Sequence, residues 1–162
     1  VTTRARRRWV PILVTGAATL CVASVGAALT RLGPWYRDLV KPAWQPPDAA
    51  FGIVWTAIYV LAATAALTGW HAMKAGRDRA ILLVLFAVNA ALNLLWSHLF
   101  FGLQRPDWAL IEVAPFWLSI LALMVFIGRH DRRAALFLLP YLLWVAFAAA
   151  LNAAVVSLNP AF

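Results

Sequence analysis

Residues 33–61 read GPWYRDLVKPAWQPPDAAFGIVWTAIYVL, a proline- and tryptophan-rich connection that runs straight into an apolar segment. It carries three of the nine tryptophans (Trp35, Trp44 and Trp55) and four of the nine prolines (Pro34, Pro42, Pro46 and Pro47). Each proline fixes φ and biases the residue before it toward extended backbone, so together they forbid a continuous helix between the flanking apolar segments. Connections longer than about 12–15 residues without structure of their own are usually functional or disordered, and this one is too apolar for disorder. Residues 31–50 therefore read as a stiff aromatic lid.

What the lid connects follows from composition. The chain has 162 residues, 64% of them hydrophobic and 12% charged, where soluble domains carry about 25% charged residues. The apolar residues fall into runs at roughly 9–30, 50–72, 80–103, 107–128 and 134–157, each near the ~20 residues that cross a ~30 Å hydrocarbon core as helix. The expected fold class is all-α, an integral membrane bundle of five transmembrane helices forming one domain over 1–162.

The net charge of +8 does not point to nucleic acid, because the basic residues cluster at the ends of the apolar runs. Arg4, Arg6, Arg7, Arg8, Lys74, Arg77, Arg79, Arg129, Arg132 and Arg133 share one side of a five-span chain, leaving Arg31, Arg37, Lys41 and Arg105 for the other. The positive-inside rule then places the N-terminus in the cytoplasm, in a bacterial cell membrane, and the lid outside. The arginine-rich start followed by an apolar run imitates a signal peptide, but the run exceeds an h-region of about 7–15 residues and reads as a first span. Cys21 is the one cysteine, so no intramolecular disulfide or thiolate metal site exists, and it is expected to be a small buried hydrophobe.

Within the spans, chemistry concentrates on particular faces. The first is rich in small residues (Gly16, Ala17, Ala18, Gly26, Ala27) and is expected inside the bundle or at an oligomer contact. In the second, Phe51, Trp55 and Tyr59 recur every fourth residue and share a face. In the third, Asn89, Asn93 and Trp96 project to one side; amides in hydrocarbon seek partners, so they face another helix or a ligand cavity. Ala87 and Ala91 make a small-xxx-small pair suited to a homodimer contact. Glu112, a turn into the fourth span, is expected to be paired or interfacial. In the fifth, Tyr141 is followed by Trp144, Ala148 and Asn152, again at a spacing of four, as a pocket wall.

The sequence lacks a glycine-rich phosphate loop, HExxH, CxxC and paired carboxylates, so no soluble-enzyme constellation and no metal site is read from it. The ordered motifs WYxxLxKPxWxPP at 35–47, FxxxWxxxY at 51–59, ALNLLW at 91–96 and LLPYLLW at 138–144, followed by Leu151 and Asn152, resemble those of the TspO/MBR family. That family comprises the tryptophan-rich sensory proteins and the mitochondrial translocator protein, or peripheral-type benzodiazepine receptor.

The resemblance implies a five-helix bundle, usually dimeric, with a cavity beneath the first loop that binds porphyrins (protoporphyrin IX, haem), sterols and benzodiazepine- or isoquinoline-type drugs. It implies ligand contacts for the loop residues Trp35 and Trp44, for Trp55 and Trp144, and for Asn93 and Asn152. Some relatives promote light-dependent porphyrin breakdown, for which Trp55 and Trp144 are the catalytic candidates. The full expected ligand set adds Phe51, Tyr59, Asn89, Trp96, Tyr141 and Ala148. No cofactor is required; porphyrin or haem is the ligand. The end of the fifth span, LNAAVVSLNPAF from residue 151, departs from the eukaryotic sterol motif, lacking its tyrosine and base, so the resemblance implies no sterol site there. A receptor for porphyrins is the preferred reading, with a light-dependent porphyrin-degrading enzyme or a sterol or lipid transporter as rivals.

Overall fold

The structure is a computed structural model; it describes residues 2–160, with side chains from Trp9 onward. Phe162 and the side chains of Arg4, Arg6, Arg7 and Arg8, used above for topology, lie outside what is described. All regular structure among the described residues is helical: α1 (Thr2–Leu29), α2 (Pro34–Asp38), α3 (Asp48–Ala72), α4 (Arg77–Ser97), α5 (Pro106–Gly128), α6 (Arg132–Leu136) and α7 (Leu139–Leu158). Five stretches are long and apolar enough to cross a membrane: Trp9–Leu29, Asp48–Ala72, Arg77–Gly102, Pro106–Gly128 and Arg132–Leu158. Each matches a span read from the sequence to within a few residues.

The spans close into a ring. The first packs on the second and third, the third on the fourth, the fourth on the fifth, and the fifth returns to the second. Its core is built by Ile58, Leu82, Phe116, Ile120, Leu123, Ile127 and Val145, all almost completely buried. The N-terminus shares one end with the 73–76 and 129–131 connections; the lid, the 103–105 connection and the C-terminal end of α7 share the other.

Several expectations change. The first span lies at the periphery and not inside the bundle, with only Gly26 of its described residues buried. A Cβ on Gly26 would sit 3.4 Å from the Tyr59 hydroxyl, so this glycine permits the close approach of α1 to α3. Cys21 is exposed on the same helix, because most of α1 faces outward. The lid is not wholly irregular: Pro34 opens the short helix α2, since proline is tolerated in a first turn, where its missing N–H has no partner to lose. The fifth span is broken between α6 and α7; Pro140 supplies no N–H to the preceding turn.

Between α4 and α5 the helix widens into a π turn, His98–Gly102, closed by the Leu103 N–H donating to the His98 carbonyl at 2.8 Å. Gly102 suits that turn, because a Cβ would come within 2.8 Å of His98 Nδ1 and force the imidazole to move. Such π turns cluster at functional sites. Here the turn presents Phe100 and Phe101 to the underside of the lid.

Candidate functional site beneath the lid

The lid is held at several points. Trp35 meets Phe100 edge-on at 6.0 Å and Tyr36 meets Phe101 at 5.7 Å. The Tyr36 hydroxyl donates to Asp48 at 3.1 Å and accepts from Gln45 Nε2 at 3.2 Å, tying α2 to the start of α3. Lys41 Nζ lies 4.2 Å from the centroid of the Tyr36 ring. Burial, with the Asp48 carboxylate beside it, pushes the Tyr36 phenol up from 10.0 to about 12. From the far end of the chain, Asn159 brackets Val40: the Val40 N–H donates to Oδ1 at 3.0 Å and Nδ2 donates to the Val40 carbonyl at 2.9 Å. The lid is thus a docked element.

Under it the aromatic residues form linked groups. Trp44 meets Phe147 at 5.7 Å, Phe147 meets Trp144 at 5.3 Å, and Trp144 meets Phe51 at 5.5 Å, carrying the lid onto α7 and α3. Trp55 packs on Tyr59 at 5.6 Å and on Tyr141 at 6.0 Å. Trp96 stacks on Phe100 at 5.2 Å. Edge-to-face and offset pairs at these separations are favourable because the positive ring edge meets the negative face. Trp55 and Trp144 are half-buried on adjacent spans and pack on one hydrophobic core.

Deeper in the ring, the polar residues form one directed chain. The Tyr59 hydroxyl donates to Asn93 Oδ1 at 3.2 Å, and Asn93 Nδ2 points to the Tyr141 hydroxyl at 3.5 Å. Tyr141 donates to Asn89 Oδ1 at 3.1 Å, Asn89 Nδ2 to Ser119 Oγ at 2.8 Å, and Ser119 to the Phe116 carbonyl at 2.6 Å. Four spans are stitched together this way, satisfying amides that would be costly if left bare in hydrocarbon. Asn152, 1% exposed, is likewise committed. Oriented to suit its neighbours, its amide donates to the Pro106 carbonyl at 3.0 Å and accepts from the Leu110 N–H at 3.1 Å, capping the start of α5.

Of the expected ligand set, Trp35, Trp44, Phe51, Trp55, Trp96 and Trp144 belong to these packed aromatic groups, with Ala148 half-buried one turn beyond Trp144. Tyr59, Asn89, Asn93 and Tyr141 sit together at mid-depth, and Asn152 stands apart in the α5–α7 contact. The indole N–H groups of Trp96 and Trp144 and both carboxylate oxygens of Glu112 are buried without a hydrogen-bond partner among the described residues. Glu112 is therefore not paired as its position suggested. Asn159 and Ser119 escaped the sequence reading, and Tyr36 entered it only as part of the 35–47 motif. Asn159 follows the last span and nothing in its local pattern announces a lid contact; Ser119 is a lone hydroxyl in an apolar run.

A cavity of about 340 Å³ lies between the first, second and third spans toward the N-terminal side, and reaches the polar chain at Tyr59, Asn89, Asn93 and Tyr141, four of the expected ligand residues. No cluster of metal-ligating side chains occurs among the described residues.

The arrangement of lid, aromatic groups and ring of spans coincides with a family match: the model of the TspO/MBR family covers residues 13–158. The chain belongs to the TspO/MBR family. It is 39% identical over 150 residues to the tryptophan-rich protein TspO of Chlorobaculum tepidum, covering 87% of this chain and 92% of that one. It is 37% identical over 145 residues to protein CrtK of Rhodobacter capsulatus, covering 88% and 89%. Over 119 residues it is 34% identical to the translocator protein of Sus scrofa, covering 73% and 70%. As a TspO/MBR protein it is a multi-pass membrane protein of a family with sensory and transport roles. Both the lid and the aromatic groups fall inside the matched residues.

Proposed function

We propose that this TspO/MBR protein is a membrane receptor for tetrapyrroles, binding protoporphyrin IX or haem between the lid and the aromatic groups of α3, α4 and α7. The observation that carries the reading is the pair of buried, unpartnered indole N–H groups of Trp96 and Trp144, set among stacked rings. Indole and phenol faces supply a stacking surface for a flat macrocycle, while the two N–H groups and Glu112 supply the few polar anchors that orient a ligand in an apolar site. Cations on the lid side, Arg37 and Lys41, suit the propionates at the solvent edge. The Asn93 and Asn152 amides already have protein partners, so the indoles are the better donors.

Sterols and benzodiazepine-type drugs compete for the same apolar surface in this reading. The N-terminus lies in the cytoplasm and two chains pair through α4. Tryptophan-fluorescence titration with protoporphyrin IX, in the dark and without oxygen, tests the function: saturable quenching is expected in the parent protein and weakened quenching in Trp144→Leu. Quenching without saturation would end the proposal. Loss of porphyrin absorbance under light and oxygen, in the same preparation, separates a degrading enzyme from a receptor.

A further inference from the structure

The 340 Å³ cavity lies on the opposite half of the bundle from the lid. Its lining runs along α1 from Val10 to Val22, along α3 from Tyr59 to Trp70, and along α4 from Leu82 to Asn93. At ~1.5 Å per residue each stretch is about 16–18 Å long. That is close to half of a ~30 Å hydrocarbon core, so the cavity is a slot as deep as one leaflet.

The walls are apolar or small, as at Val14, Ala18, Ala63 and Ala66. Val10, Val14 and Leu83 on its rim are exposed on the outer surface of the bundle, so the slot communicates with the lipid side. At mid-depth it reaches Tyr59, Asn89, Asn93 and Tyr141, whose polar atoms are bonded to one another. At the membrane surface it ends at Trp70, over which Arg79 is held: Arg79 Cζ lies 4.7 Å from the ring centroid and Nε donates to the Trp70 carbonyl at 3.2 Å. That bond ties Arg79 to the residue that ends the slot while occupying only one of its five N–H groups. Lys74 and Arg77 add positive charge nearby on the same connection. Asp78, which sits 4.0 Å from His130, is the acidic residue of that turn.

We propose that this slot is a second ligand site that takes a long-chain fatty acid, with the chain between α1, α3 and α4 and the carboxylate at Arg79. An apolar slot one leaflet deep, open to the lipid side and with a cation held over the residue at its end, matches a single anionic acyl chain. The site shares no lining residue with the lid and meets the expected tetrapyrrole set only at Tyr59, Asn89, Asn93 and Tyr141; the proposal does not depend on tetrapyrrole binding.

The test uses the full chain in phosphatidylcholine nanodiscs with 9,10-dibromostearate, whose bromines quench nearby indoles. Subtracting the Trp70→Phe signal from the parent isolates Trp70, which should show saturable quenching at low fatty-acid content. Ala66→Leu, which fills the slot, should abolish the saturable part. Arg79→Gln should weaken it about tenfold for the acid, as removal of a charged hydrogen-bond partner does, and leave dibromostearyl alcohol unaffected. Helical circular dichroism and thermal midpoint, unchanged in both variants, establish that they fold, and Ala18→Leu provides an independent filling variant. Saturable quenching that survives both filling variants would overturn the proposal. So would equal quenching by a dibrominated phosphatidylglycerol, which would make a bilayer lipid the occupant.

Discussion

Asn159, beyond the last turn of α7, forms both hydrogen bonds of Val40 in the middle of the lid, accepting from its N–H at 3.0 Å and donating to its carbonyl at 2.9 Å. A third bond, from Asn159 Nδ2 to the Val155 carbonyl at 2.8 Å, fixes the amide to its own helix. The two ends of the site, separated by 119 positions, are thereby one mechanical unit. Asn159→Ala should cost about 1–3 kcal/mol of lid docking, two exposed bonds at about 0.5–1.5 kcal/mol each. A nitroxide at Ala43→Cys, in a Cys21→Ala background, should report a mobile lid in that variant and an ordered one in the parent. Identical spectra would mean that the aromatic contacts alone hold the lid.

Tyr36 makes the same docking depend on pH. Its phenol is raised to about 12 by burial and by Asp48, so the docked lid favours the protonated form. The sign follows: the contribution is complete below 10.0, the ordinary value, declines as pH rises, and is lost above about 12. Nitroxide mobility at position 43 should rise across that window in the parent. In Tyr36→Phe the lid should be looser at pH 8, lacking the bonds to Asp48 and Gln45, and should show no further transition between 10 and 12.

The directed chain from Tyr59 to Ser119 predicts which polar deletion harms the bundle most. Tyr141→Phe strands Asn93 Nδ2 and Asn89 Oδ1 together, whereas Ser119→Ala strands only Asn89 Nδ2. Interhelical bonds in membranes contribute about 0.6 kcal/mol on average and up to about 1.7, so Tyr141→Phe should cost about 1–2 kcal/mol and Ser119→Ala less. Unfolding by mixed-micelle denaturant titration measures both. A larger loss for Ser119→Ala would contradict the order of the chain.

These examples mark what was legible in the sequence. The five spans could be read because hydropathy sets them directly, and Asn89 and Asn93 stood out because a buried amide is conspicuous among leucines and alanines. Their partners could not be read. Whether Asn89 meets Ser119 or some other hydroxyl depends on how each helix is rotated about its axis, and a uniformly apolar span carries little amphipathic signal to set that angle. The same blindness misplaced Cys21 and the first span, whose small residues suit close packing on any side. The lid's proline pattern revealed that it was stiff but hid α2, because Pro34 starts a helix where the later prolines prevent one.

Ala87 and Ala91 are exposed on α4, alongside Val84, Val88 and Leu95. A face that is small in its middle and branched around it suits close approach of a second copy. Ala87→Leu or Ala91→Leu should shift the protein toward monomer in detergent, measured as mass by light scattering, with its helical content intact. Unchanged mass in both variants would move the interface elsewhere, the peripheral first span being the next surface to test.

The final prediction concerns Trp55 and Trp144. They do not appear as a stacked pair; each is surrounded by its own partners, Tyr59 and Tyr141 for Trp55, Phe51 and Phe147 for Trp144. Trp144 differs in that its N–H is buried and unpartnered. For tetrapyrrole binding, losing a stacking surface costs about 0.5–1.5 kcal/mol, or about two- to tenfold in affinity, so Trp55→Leu should fall in that range. Trp144→Leu should lose more, because it also removes a hydrogen-bond donor. Trp→Phe separates the contributions: at position 55 most affinity should be retained, whereas at 144 the donor is lost with the indole and affinity should fall by about a further three- to tenfold. If light-dependent breakdown accompanies binding, Trp→Phe at either position should suppress it beyond the affinity change, since phenylalanine stacks but donates electrons poorly. Trp9, 61% exposed at the start of the first span, is the control and should be replaceable in both assays. Parent-like binding by both leucine variants would place the tetrapyrrole elsewhere and leave these indoles as packing alone.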